Sequence, residues 1–373
     1  MTEAQITLAY SHTTGIVAIA TGEKYRWAET ALEESHFHPQ EPGVYHLPFT
    51  ADTEDTRAAI ANLVRCATRH QTSVTTASQP FIGDTAQDIA RLLPGQWEAT
   101  VEIYPSPLSQ EYLVSYLWDG GELGQAAQTE RIPFIASLTD PTSDITLVLV
   151  ERPGQRGYLL GAVAPEWVKE GCRDPLAPRS IVLPPHSSRA AKAITNQFLP
   201  VYHRAAHSHR SALVSTALNE IRTRHGAWTA MIGTDRHVDA ATPLEVDALG
   251  VATEEFLDHT WRSFRVVLEH APVLLARCRP GDSPWPEDAE VLSDLSVAAS
   301  AAETLRTELD AGAWLTLPRH ECNTRMWPAV ETWLADSDAF VRQVLLAAPR
   351  PGAAVVSSAK LPARPPVRSG PRR

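Results

Sequence analysis

Asp174-Pro-Leu-Ala-Pro-Arg-Ser180, followed by Leu183-Pro-Pro185, is where the chain changes character. Prolines at this density fix φ, remove backbone donors and stop both helices and strands, so residues 171–185 read as a linker. Upstream of it, apolar residues come in short β-branched runs broken by Gly and Pro. Downstream they recur at helical spacing over long stretches. The sequence therefore predicts an α+β chain, with an N-terminal mixed α/β-sheet region followed by a C-terminal antiparallel helical bundle.

Residues 1–80 read as a small β-β-α-β-α-β unit. Ile6-Thr-Leu-Ala-Tyr10 and Ile16-Val-Ala-Ile-Ala20 are strands joined through Ser11-His-Thr-Thr-Gly15, with glycine where a turn needs positive φ. A helix over 24–37, a strand at Val44-Tyr-His-Leu-Pro48, a helix over 52–70 and a strand over 73–77 complete it. Residues 81–185 form a β-rich region ending in the linker. It opens with a helix over 84–93 stopped by Pro94-Gly95, and strands follow at 99–104, 112–118, 132–138, 145–151 and 157–163. Beyond the linker, helices over 188–230, 244–276, 286–310 and 325–346 make residues 186–347 the bundle. Residues 348–373 are a Pro/Arg-rich basic tail that cannot build a core, and disorder is expected there.

The chain has 373 residues and a formal net charge of −11. Six basic residues and no acid fall in 350–373, so the remainder is more acidic than the total suggests. That acidity argues against nonspecific nucleic-acid binding by the whole surface, while local basic patches stay open. Only Lys24, Lys169, Lys192 and Lys360 are lysines among 33 basic residues, an arginine bias expected of a GC-rich bacterial genome. The longest apolar runs are too short for a membrane-spanning helix, and Met-Thr-Glu-Ala-Gln at the start predicts no secretory signal. Cys66, Cys172, Cys278 and Cys322 are too scattered for a disulfide framework or a CxxC metal site. The expectation is a cytoplasmic protein without membrane association, its oligomeric state left open.

The sharpest candidate is a basic stripe in the helix over 188–230. On a regular helix Arg189, Lys192, His203, His207 and Arg210 fall within about 40° of one line, and no acid intervenes before Glu220. Such a stripe suits nucleic acid or an acidic partner; the alternative is a solvated face balanced by neighbouring acids such as Glu254, Glu255 and Asp258. Beyond Arg210 the same line carries Val214, Ala217 and Ile221. His203 and His207, four apart, also have the spacing of paired metal ligands, with Glu255, His259 or His270 as possible third ligands, although no HExxH pattern is present. No metal or other cofactor is expected. Phosphate-loop, GxSxG, GxGxxG and zinc-deaminase patterns are absent, so no catalytic residue is assigned. Asp119, Glu122, Asp140, Asp144 and Glu151 read as solvated carboxylates at strand ends, and Cys172 and Cys322 have charged neighbours that suit a reactive thiol. Most of the ten tryptophans read as core anchors, while Trp327 and Trp333 suit a partner groove.

The order Phe37, turn, Val44-Tyr-His-Leu-Pro48, then a helix from Asp52 resembles small modules of DNA-processing proteins from bacterial mobile elements. It also resembles the HARP-type module of annealing helicases, whose pattern is aromatic, turn, Trp-x-hydrophobic-Pro, helix; Tyr45 stands here where tryptophan is usual. The full-length layout resembles uncharacterised actinobacterial proteins. The module resemblance implies DNA binding. The leading expectation rests on the basic helix face and the Arg-rich tail: a non-enzymatic accessory protein that binds nucleic acid or a DNA-associated complex through them. A protein-interaction scaffold without nucleic-acid binding and a metal-dependent enzyme with its site in the bundle are the alternatives.

Overall fold

The hairpin at the N-terminus forms because alternating Ile, Leu and Val residues on two runs meet across a three-residue loop. In the computed structural model, strands β1 (Gln5–Ser11) and β2 (Gly15–Thr21) pair antiparallel from Gln5↔Thr21 to Ser11↔Gly15, and Gly15 takes φ +100°. The structure describes residues 4–41, 43–48, 53–152, 154–168, 174–235, 243–310 and 319–349. The chain is α+β, and it divides into two compact units. The first comprises residues up to Arg173 and Arg179–Val201; the second comprises Asp174–Pro178 and Tyr202–Pro349.

In the first unit, one sheet has the order β3-β4-β2-β1-β5, with β3 at His38–Glu41, β4 at Val44–Leu47 and β5 at Ser73–Thr76. β5 runs parallel to β1. One face of this sheet, Ile6, Leu8, Ala18 and Ala20, is covered by α1 (Tyr25–Glu33) and α2 (Thr53–Arg69) through Ala28, Leu32, Leu63 and Ala67. β3 is absent from the order expected of this segment. Polar His38-Pro-Gln-Glu41 carries no alternation to mark a strand, and Pro39 argues against one. As the sheet's edge it pairs only with β4, through an irregular register, so the missing proline donor is tolerated.

The second sheet is an antiparallel meander, β10-β9-β8-β7-β6, built from Glu98–Ile103 (β6), Phe134–Asp140 (β7), Ile145–Glu151 (β8), Tyr158–Ala162 (β9) and Ile181–Leu183 (β10). The expected strand at 112–118 is helix α4 (Pro107–Tyr116), followed by an unexpected α5 (Glu122–Thr129). Ser106 caps α4, its hydroxyl accepting from Ser109 N–H while Ser109 answers to the Ser106 N–H, and Pro107 starts the first turn. That start signal outweighs the β-preference of Tyr112, Val114 and Tyr116. The linker, too, holds a strand: β10 closes the meander by pairing Ile181 with Leu160. Leu113, Leu117 and Leu123 pack against Ile135, Val148 and Leu159 on one sheet face, and α3 (Ile82–Leu92) lies against β6 and β7 and packs on α6 (Ser187–Ala193).

The helix expected over 188–230 is interrupted. α6 passes into a π-turn at Ile194–Phe198, and α7 (Leu199–Asp235) follows. Pro200 has no N–H to give to the carbonyl four residues back, and Leu199 N–H reaches instead to Ile194 O, five back. In the second unit α7, α8 (Pro243–Leu275), α9 (Asp288–Asp310) and α10 (Arg319–Leu346) share a core of Val214, Ile221, Phe264, Leu268, Leu295, Val330, Trp333 and Phe340. No helix among the described residues is long and apolar enough to cross a membrane. The expected disordered tail lies, from residue 350 onward, outside the described residues.

Candidate binding surfaces

The residues of the basic stripe are divided by the π-turn at 194–198 and between the two units, and the 3.6-residue phase does not run through that turn. Arg189 and Lys192, three apart on α6, are exposed, and neither makes an ion pair with any described residue. Around them the sequence from Pro175 to Asn219 contains no acid at all. Arg179, in the same acid-free stretch, is exposed as well.

His203, His207 and Arg210 have a different setting. Val214, Ala217 and Ile221, on the same line of α7, are core residues, so that line turns toward the bundle interior. His207 is buried, with Nε2 2.9 Å from the Val344 carbonyl oxygen of α10. Arg210 and His203 are half-buried. Burial pushes His203 down to about 4, helped by Arg277 and Arg210, so its imidazole is neutral at pH 7. Burial, with the same two guanidinium groups, also lowers His207; burial lowers His270, where Arg210 and His209 add to the effect. Among the described residues no group of three or more His, Cys, Asp or Glu side chains is placed to hold a metal ion. Of the third ligands considered from sequence, His259 has Nδ1 2.8 Å from the Glu255 carbonyl oxygen and Glu255 is exposed, whereas His270 is buried.

Two carboxylates expected to be solvated are structural instead. Asp119 is 2% exposed and accepts from three backbone N–H groups, Gly121 at 3.0 Å, Gly124 at 2.6 Å and Ser180 at 2.5 Å. Asp140 is buried and accepts from Thr142 N–H at 3.0 Å and the Ser143 hydroxyl at 2.7 Å. A third hub, Asp84, accepts from Ser11 and Thr13 hydroxyls and His12 N–H, tying the β1–β2 turn to α3. Glu151, at the end of β8, is half-buried, and burial pushes its carboxyl up to about 7. Cys172 lies outside the described residues and Cys322 falls within α10. Cys278 is buried beside a groove of about 690 Å³ between α8 and α9, and burial pushes its thiol up to about 11, away from a nucleophile.

The aromatic residues also sort differently from the sequence reading. Trp333 is fully buried, edge-on to Phe340 at 5.1 Å, so it lines no partner groove. Trp327 is half-buried in a cluster with His225, Trp228 and Phe256, where Trp228 and Phe256 stack at 4.9 Å. A surface the sequence reading missed lies on α4. Leu108, Tyr112 and Tyr116, at i, i+4 and i+8, are 69%, 63% and 57% exposed and form an outward apolar stripe. The spacing was there to be read, but Tyr112, Val114 and Tyr116 also alternate, and alternation selected a strand.

No family model matches this chain, and neither does any curated protein or solved structure.

Proposed function

We propose that this chain is a non-enzymatic accessory protein that binds nucleic acid through the phosphate backbone. The observation that supports this is the pair Arg189 and Lys192: exposed, free of carboxylate partners among the described residues, and set in a stretch without acids. Paired surface cations are already neutralised, whereas unpaired ones release counterions from a polyanion when they contact it. The six basic residues of 350–373 extend the same chemistry. The resemblance of residues 37–70 to modules of DNA-processing proteins points the same way. His203 and His207 contribute nothing to this surface; they are neutral or inward-facing. The test is fluorescence anisotropy with labelled DNA and RNA across a salt series. Arg189→Gln with Lys192→Gln is expected to flatten the log–log salt slope by about 2, roughly one unit per lost phosphate contact. Deletion of 350–373 flattens it further. Absence of binding at low salt, or an unchanged slope, defeats the proposal.

The α4 stripe favours a second reading, a scaffold that self-associates. Exposed aromatic residues in a row are the usual anchors of protein interfaces. Sedimentation velocity is expected to show concentration-dependent mass that Tyr112→Glu with Tyr116→Glu abolishes. A wild-type monomer at every concentration removes this reading.

A further inference from the structure

A groove between α4 and α5 holds charges of both signs that do not neutralise one another. Its volume is about 500 Å³, within the range usual for small-molecule sites. Gln110 of α4, 7% exposed, fixes one wall. Its amide nitrogen donates to the carbonyl oxygens of Ala127 at 3.0 Å and Glu130 at 2.7 Å. Its Oε1 accepts from Ile132 N–H at 2.8 Å and from Arg131 Nη1 at 2.7 Å. Arg131 Nη1 also reaches the Ile132 carbonyl oxygen at 3.4 Å, and Nη2 donates to the Tyr104 carbonyl oxygen. Every acceptor of this guanidinium among the described residues is thus a neutral carbonyl. Its Nε–H and one N–H of Nη2 have no acceptor there. Glu111 of α4 and Glu130, just after α5, line the same groove. Both are exposed, and neither carboxylate makes a hydrogen bond or ion pair with a described residue. Arg131 cannot swing to its neighbour Glu130 without giving up the carbonyls that pin it.

We infer that this groove binds an α-amino acid, its carboxylate on Arg131 and its ammonium on the carboxylates of Glu111 and Glu130. The side-by-side Nε and Nη2 donors of a guanidinium match the two oxygens of a carboxylate. Arg131 is already held by its carbonyl acceptors, so binding costs little of its side-chain freedom. A lone anion would meet two glutamates, and a lone cation would meet Arg131. A molecule that carries both charges is attracted at both ends. Pro107 and Ala127 give the groove an apolar wall for an aliphatic side chain, and the second carboxylate suits a side-chain ammonium. Apolar and basic amino acids therefore share the recognition of the two backbone charges. The inference does not rest on nucleic-acid binding and shares no residue with the Arg189 and Lys192 pair.

The test is calorimetric titration of the full chain with L-leucine and, separately, L-lysine. Saturable binding is expected for at least one. Tighter lysine shows that the second carboxylate reads the side chain, tighter leucine that the apolar wall does, and equal binding that the backbone charges alone are read. The Nα-acetyl derivative of the tighter amino acid lacks the ammonium, and its carboxamide lacks the carboxylate. Each is expected to bind about 10- to 100-fold more weakly, the effect of losing charge-assisted hydrogen bonds. Glu111→Gln with Glu130→Gln, at two exposed positions, is expected to weaken binding by a similar factor. Arg131→Gln should do the same. That change also removes structural hydrogen bonds, so the two derivatives, which leave the protein untouched, decide the matter where it fails to fold. No saturable binding of either amino acid overturns the inference. So does either derivative binding as tightly as its parent, or full binding by the double glutamine variant.

Discussion

Replacing Asp119 should unfasten the second sheet from the segment that closes it. Its carboxylate receives Gly121 and Gly124 N–H at the start of α5 and Ser180 N–H just before β10, so one side chain joins segments about 60 residues apart. Gly121 and Gly124 suit the site because a Cβ at either would press on Ser180 or on the Asp119 carbonyl. Hydrogen bonds to a charged acceptor contribute about 1.5–3 kcal/mol each, and donors left buried without one cost about 1–3 kcal/mol. Three such bonds are at stake, and water recovers part of the loss at the rim, so Asp119→Ala is expected to cost about 4 kcal/mol. Asp119→Asn keeps one acceptor oxygen but turns an NH2 toward a backbone donor, and about 2 kcal/mol is expected. Guanidinium unfolding followed by near-UV circular dichroism reads both variants. Trp118, fully buried next to Asp119 and edge-on to Trp167 at 6.0 Å, makes the aromatic signal sensitive to this region. A loss under about 1 kcal/mol for Asp119→Ala, or a larger loss for Asn than for Ala, would refute the three-donor account.

Glu151 gives a pH signature. Burial raises its carboxyl from 4.5 to about 7, so the folded state holds the proton more tightly than the unfolded chain. Its favourable contribution is complete below about 4.5 and disappears as pH rises through about 7. Glu151→Gln should therefore gain on wild type by about 2–3 kcal/mol between pH 5 and 8, and parallel stability profiles count against it. In the bundle, the Trp333 Nε1 donor is buried without an acceptor among the described residues. Trp333→Ala should cost about 3–5 kcal/mol, whereas Trp333→Phe retains most of the contact with Phe340, removes the orphan donor and should cost about 1 kcal/mol. Equal losses in chemical denaturation would contradict that assignment.

The elements that sequence reveals most readily are those whose local signals agree. The β1–β2 hairpin has alternation and Gly15, and the four long helices have sustained periodicity. Where two signals compete, as at Ser106-Pro-Leu-Ser109 and Tyr112, the cap wins because it acts on the backbone before any packing partner is present. β3 carries no pattern because an edge strand with one neighbour needs none. The candidate site was legible as to which residues share a line of α7, since spacing alone sets that. Which way the line faces follows from packing, and the only hint lay in Val214, Ala217 and Ile221 further along it. Arg277, whose charge helps to keep His203 neutral, was out of reach, because nothing local in Ala276-Arg-Cys-Arg279 marks it. Asp119 in Asp-Gly-Gly-Glu122 looks like any solvated turn, because its third donor comes from Ser180.

The interleaving of the two units has a consequence for synthesis. Domains form as units while the chain emerges from the ribosome. Here the first unit cannot complete when residue 173 appears, because β10, the Ser180 donor to Asp119 and α6 with its contact to α3 are all still to come. Five residues of the second unit, Asp174–Pro178, are translated before those pieces arrive. A nascent chain stalled before residue 181 therefore presents the meander with the β10 edge of β9 unpaired, a surface open to wrong strand pairing and to chaperones. Truncations placed at that apparently natural boundary inherit the same exposed edge permanently.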